Sequence, residues 1–113
     1  MHEMSLAAGV LQIIEEHSVQ HGFQRVSAVF LEVGELAGVE VEALRFAFDA
    51  VTRGTLAEGA RLEIDTLPGQ GWCLQCSDTI ALSQLYDACP CCGSYQIQVT
   101  GGTEMRVKEL AVD

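Results

Sequence analysis

Positive charge is scarce in this chain. Of 113 residues only six are Lys or Arg, against sixteen Asp or Glu, for a formal net charge of −10. Such a surface repels phosphate backbones, which argues against nucleic acid as a partner. No Lys or Arg falls between Cys73 and Cys92, the cysteine-rich stretch, so a nucleic-acid-binding zinc ribbon is not expected. Long apolar runs are missing too. None approaches the ~20 residues that span a bilayer, so no membrane segment is expected. Met1-His2-Glu3 lacks a basic leader region, and Glu15 and Glu16 close the apolar stretch behind it, so no secretory signal is read and a cytoplasmic location is expected. Catalytic constellations are absent as well: no Ser-His-Asp pattern, no phosphate-cradling glycine loop and no open three-ligand zinc motif. The chain is therefore not read as an enzyme.

What is present is a globular composition, with 49% hydrophobic and 19% charged residues, in a length that allows one domain plus a small appendage. Against it stand two Cys-x-x-Cys knuckles, Cys73-Leu-Gln-Cys76 and Cys89-Pro-Cys-Cys92, separated by twelve residues. Zn²⁺ takes four thiolates tetrahedrally, and each knuckle supplies one edge of that tetrahedron. Two disulfides would be the alternative in a secreted mini-domain, but the remainder of the chain reads as cytosolic. Cys73, Cys76, Cys89 and Cys92 are thus the candidate zinc ligands. A knuckle needs its i, i+3 pair to converge, so Cys91 is expected to point away. A four-cysteine site is coordinatively closed and cannot activate water.

The rest of the pattern is α+β. Residues 5–21 read as a helix, with Leu6, Val10, Ile13 and Ile14 on one stripe, Ser5 as N-cap and Gly22 as stop. Arg25–Gly34 is apolar on both faces, as a central strand is. A second helix is predicted over 39–53, with Leu44, Ala47, Phe48 and Val51 inward, and a half-wet strand over Arg61–Leu67. Pro68-Gly69-Gln70-Gly71 reads as a linker. Met105–Val112 alternates again, its phase slipping at Lys108-Glu109. The predicted architecture is a small sheet with two helices (residues 1–69 with 99–113), an inserted zinc-ribbon-like domain holding the four cysteines (70–98), and a final strand returning to the sheet. Fewer than 30 residues bury too little apolar surface to fold alone, so metal must stabilise the insertion. Trp72 is expected to pack the zinc unit against the body. His17 and His21, at i, i+4, are read as a core histidine and a helix-terminal histidine rather than as ligands. Glu32, Glu35, Glu40 and Glu42 bracket one loop, either as a solvated face or as a dock for a basic partner.

A quieter signal is His2. A free α-amine, the ionised amide nitrogen of His2 and its imidazole close two chelate rings on one ion, a donor set that favours square-planar Ni²⁺ or Cu²⁺. Glu3 can complete the plane through its amide or carboxylate. By itself the dipeptide is weak; with the knuckles it is specific. Met1-His2-Glu3-Met4-Ser5-Leu6, Leu31-Glu32-Val33-Gly34, Phe46-Ala-Phe48, Trp72-Cys73 through Cys76, and Cys89-Pro90-Cys91-Cys92-Gly93 together resemble the HypA/HybF family of nickel metallochaperones for hydrogenase maturation.

The resemblance covers essentially the whole chain and implies a role. Members bind Ni²⁺ as cargo at the N-terminal triplet, here Met1, His2 and Glu3, with His2 indispensable, and hold one structural Zn²⁺ through the paired knuckles. They act with a nickel-binding GTPase to load nickel into the large subunit of [NiFe]-hydrogenase, and some serve urease. Whether the chain is a monomer or a homodimer stays open. The competing class is a zinc-ribbon protein-interaction adaptor with no nickel role.

Overall fold

The computed structural model describes residues 2–113. In chain order the elements are α1 (Glu3–His21), β1 (Val26–Gly34), α2 (Val41–Val51), β2 (Arg61–Leu67), β3 (Gly69–Cys73), β4 (Asp78–Leu82), β5 (Ile97–Gly101) and β6 (Met105–Val112). They form two three-stranded sheets, ordered β2-β1-β6 and β4-β3-β5. The last strand thus returns to the sheet begun by the first, as expected of a strand that follows the cysteine segment, and the fold is α+β. The chain divides into two compact units, one of residues 2–31, 39–64 and 107–113, the other of Glu32–Gly38 and Asp65–Arg106.

In the first unit, α1 buries Ala7, Val10 and Ile14, the i, i+3, i+7 spacing of one helix face. Gly22 ends it at φ 75°, its N–H donating to the Ser18 carbonyl at 2.8 Å. A left-handed residue after the last turn is what a glycine accepts at least cost. The start differs from expectation. Ser5 lies inside the helix, which begins at Glu3, with His2 in the N-cap position and the Leu6 N–H bonded to the His2 carbonyl at 2.9 Å. An acidic Glu3 in the first turn favours that longer start, because its charge opposes the positive end of the helix dipole. His17 is exposed rather than part of the buried stripe.

The predicted central strand is observed as β1, with Val26, Ala28, Val29, Leu31 and Val33 all buried. The second helix is shorter than its pattern, because Thr52 turns out of it and its hydroxyl bonds the Phe48 carbonyl at 2.8 Å. Leu44, Ala47 and Phe48 line its inner face. Along β6 Lys108 and Glu109 are both exposed where the phase slips, and beyond them Leu110 and Ala111, not Val112, are half-buried.

In the second unit, β3 is the central strand, antiparallel to β4 on one side and to β5 on the other. Its core is small: Leu36, Cys73, Ile80, Leu82 and Cys89, with Ile97 packed against them. The stretch read as a linker is mostly strand. Gly69 and Gly71 are buried residues of β3, and a Cβ on Gly71 would stand 2.6 Å from a methyl of Ile97 and 2.8 Å from one of Leu82. Trp72, on the alternate face, is exposed rather than packed inward.

Candidate metal centres

The cysteines converge because two turns repeat one construction. Cys73 ends β3 and pairs with Asp78, the first residue of β4, so Leu74–Ser77 form the hairpin connection. Here the Ser77 N–H donates to the Cys73 carbonyl at 2.8 Å, and the Cys76 N–H reaches the Cys73 sulfur at 3.4 Å. In the second turn the Gly93 N–H donates to the Cys89 carbonyl at 2.8 Å, and the Cys91 N–H reaches the Cys89 sulfur at 3.4 Å. Each turn closes on a left-handed residue, Ser77 at φ 54° and Gly93 at φ 77°. Bonds from the Leu74 N–H to the Gln96 carbonyl and from the Cys89 N–H to the Ser94 carbonyl, at 2.9 and 2.8 Å, secure them.

The sulfurs of Cys73, Cys76, Cys89 and Cys92 all lie within 4.8 Å of one another. Across the two turns the separations are 3.6 Å for Cys73–Cys92 and 3.8 Å for Cys76–Cys89. Four sulfurs at ~2.3 Å from a central ion in a tetrahedron stand roughly 3.8 Å apart, so the cluster has the dimensions of a tetrathiolate zinc centre. Backbone N–H groups of Cys92 and Cys91 aimed at its sulfur lower the Cys89 thiol to about 6 despite burial. The neighbouring Cys92 and Cys73 sulfurs, with burial, push the Cys76 thiol up. Four thiols crowded this closely cannot all ionise without a cation among them, which is the electrostatic reason a divalent ion suits the cluster. Cys91 is exposed and stands outside the group of four.

At the other centre, Met1 lies outside the described residues. His2 is exposed at the head of α1, and its side chain makes no capping hydrogen bond. Glu3 is buried, with 9% of its surface exposed, and its carboxylate accepts the Glu40 backbone N–H at 3.1 Å. That bond, with a second from its own N–H, holds the Glu3 carboxyl below the usual carboxylate range. The Glu3–Glu40 link joins the start of α1 to the N-cap of α2. Sequence reasoning missed it, since nothing marks residues so far apart as partners.

The remaining candidates separate. His17 and His21 are both exposed, their ring centroids 5.7 Å apart, and neither belongs to a cluster of metal-binding groups among the described residues. The acidic bracket is not a continuous free face: Glu32 pairs with Arg106 at 2.5 Å, Glu35 accepts the Gly69 N–H at 3.4 Å and Glu42 stands 3.8 Å from Arg45.

A four-thiol zinc site, with no open three-ligand site beside it among the described residues, defines the class: a small α+β zinc protein whose metal site is structural. Comparison with known proteins then identifies the kind. Residues 1–112 match the family model described as hydrogenase/urease nickel incorporation, metallochaperone, hypA. The chain is 63% identical to hydrogenase maturation factor HypA of Azotobacter chroococcum mcd 1 and 60% identical to that of Azotobacter vinelandii, each over 113 residues and the full length of both chains. The solution structure of the nickel metallochaperone HypA from Helicobacter pylori superposes with a TM-score of 0.71 at 26% identity, covering 99% of this chain and 97% of that one. The chain belongs to the HypA family of nickel metallochaperones, maturation factors whose cargo is Ni²⁺. Among the described residues no helix is long and apolar enough to cross a membrane.

Proposed function

We propose that this protein binds Ni²⁺ through Met1, His2 and Glu3 and helps insert it into the large subunit of [NiFe]-hydrogenase, in the cytoplasm and together with a nickel-binding GTPase; service to urease is a second outlet. The observation that carries the reading is the state of His2: exposed, uncapped and at the first turn of a helix. The first N–H groups of a helix have no partner in its ladder. Ionising the His2 or Glu3 amide for a metal therefore breaks no helical hydrogen bond. The positive end of the helix dipole also stabilises the amide anion that results.

Glu3 completes the donor set through its amide or its carboxylate; the carboxylate accepts the Glu40 N–H and the Glu3 N–H, which holds this end of the helix in place. A chelate of few donors on an exposed helix head suits release to a receiver better than a buried cage does. Zinc, held by Cys73, Cys76, Cys89 and Cys92, contributes folding free energy and no chemistry in this reading, and the protein is not an enzyme.

Equilibrium dialysis of wild type against His2→Ala tests the assignment. Nickel stoichiometry should fall to background in the variant while zinc content is unchanged. Equal nickel in the two proteins would sink it.

A further inference from the structure

The second unit carries a groove of 270 Å³ between the end of β4 and the start of β5, of mixed polar and apolar surface and lined by Leu82, Leu85, Tyr86, Asp87, Tyr95 and Val99. Three features set it apart from ordinary surface. The first is its exposed aromatic content: Tyr86 and Tyr95 are 91% and 76% exposed, although large apolar bodies gain by burial. The second is strain. Tyr86 sits at φ 71°, in the left-handed region that a bulky side chain avoids. A tight turn holds it there, with the Asp87 N–H donating to the Gln84 carbonyl at 3.3 Å and the Gln84 N–H donating back to the Asp87 carboxylate at 3.1 Å. Strain of this kind persists where the surroundings fix a side chain for use.

The third feature is charge. The unit of Glu32–Gly38 and Asp65–Arg106 contains six carboxylates and one arginine, Arg106. Arg106 is already paired with Glu32. Thiolates around a divalent ion add two more negative charges. Among the described residues Asp87 is the one charged residue lining the groove, and a unit of this net charge repels both a second copy of the chain, at −10, and nucleic acid. The groove is also below the ~300–1,000 Å³ of pockets that enclose whole small molecules, and fits a single large side chain better.

We propose that this groove docks a basic segment of a partner protein, seating an aromatic or branched aliphatic side chain between Tyr86 and Tyr95, with flanking Arg or Lys against Asp87 and the tyrosine faces. Guanidinium over an aromatic ring and guanidinium against a carboxylate are both favourable here, and an exposed aromatic pair gives an anchor its contact area. The surface lies in the zinc-bearing unit and is independent of nickel.

The test uses the full-length, zinc-loaded, ¹⁵N-labelled protein and a fluorescein-labelled peptide in which arginine alternates with leucine and phenylalanine. Amide shifts should centre on Leu85–Asp87 and on Tyr95 to Val99, and binding should weaken in 0.5 M salt. A control peptide with every arginine replaced by glutamate should not bind. Tyr86→Asn, which suits the left-handed backbone, should keep zinc and resonance dispersion, yet combined with Tyr95→Ala should weaken peptide binding at least fivefold. A smaller loss, equal binding of the glutamate peptide, or shifts centred instead on exposed helix acids such as Glu42 and Asp49 would overturn the proposal. Shifts at Tyr86 and Tyr95 that appear on raising protein concentration without peptide would assign the face to a second copy and overturn it equally.

Discussion

Ser77 and Gly93 occupy equivalent places in the two knuckles, each left-handed, each returning an N–H to the carbonyl of the leading cysteine. Only one of them is the residue that conformation favours. Left-handed backbone costs a residue with a Cβ about 1–2 kcal/mol. Gly93→Ala should therefore lower the stability of the zinc-loaded protein by about 1–2 kcal/mol. Ser77→Gly should leave it unchanged or raise it by up to about 1 kcal/mol, the relief of strain being offset in part by the entropy of a freer unfolded chain. Urea unfolding of the two variants, at fixed zinc, checks both signs. The same scale of detail separates Cys91 from its neighbours. Its N–H is turned to the Cys89 sulfur while its own thiol is exposed, so Cys91→Ser should retain one zinc per chain by metal analysis.

At the scale of elements, the sheet β4-β3-β5 depends on metal, because two of the five residues in its core are the cysteines Cys73 and Cys89. Stripping zinc with a strong chelator should collapse the amide dispersion of β3, β4 and β5. The helical circular dichroism of α1 and α2 should largely survive, since their buried residues lie in the other unit. Leu36, contributed from outside the cysteine segment, is another large side chain at that core. Its truncation to Ala should cost about 2–5 kcal/mol, as deletion of a buried Leu commonly does, read as faster amide exchange in β3 to β5. Those three strands were the least legible part of the chain. Alternation announced β2 and β6, helical spacing announced both helices, and a run apolar on both faces announced β1. A strand whose inward residues are Gly69, Gly71 and Cys73 has no apolar alternation to read, and Pro68-Gly69-Gln70-Gly71 has the composition of a linker. Trp72 and His17 misled for a related reason: residue type says how much area a side chain can bury, and only the fold says which way it faces. The knuckles were legible because metal geometry constrains spacing tightly. The Glu3–Glu40 bond depends on how α1 and α2 come together, which no local pattern records.

Across the whole molecule, function and stability are divided between two metals with opposite demands. Zinc must stay, and its site is crowded with four thiols carried by two turns. Nickel must leave, and its proposed site is the exposed head of α1. The proposed chelate needs the α-amine of Met1 beside His2, and a Gly-Ser-Gly-Ser extension ahead of Met1 removes it. A single added residue would not serve, because a histidine third from a free amine builds a stronger square-planar Ni²⁺ chelate of its own. The four-residue extension leaves every side chain in place and moves the α-amine out of reach of the His2 ring. Parallel metal analysis after nickel dialysis should find zinc at one per chain in both proteins and nickel bound only to the original chain. Nickel retained at equal stoichiometry in the extended protein would rule the chelate out.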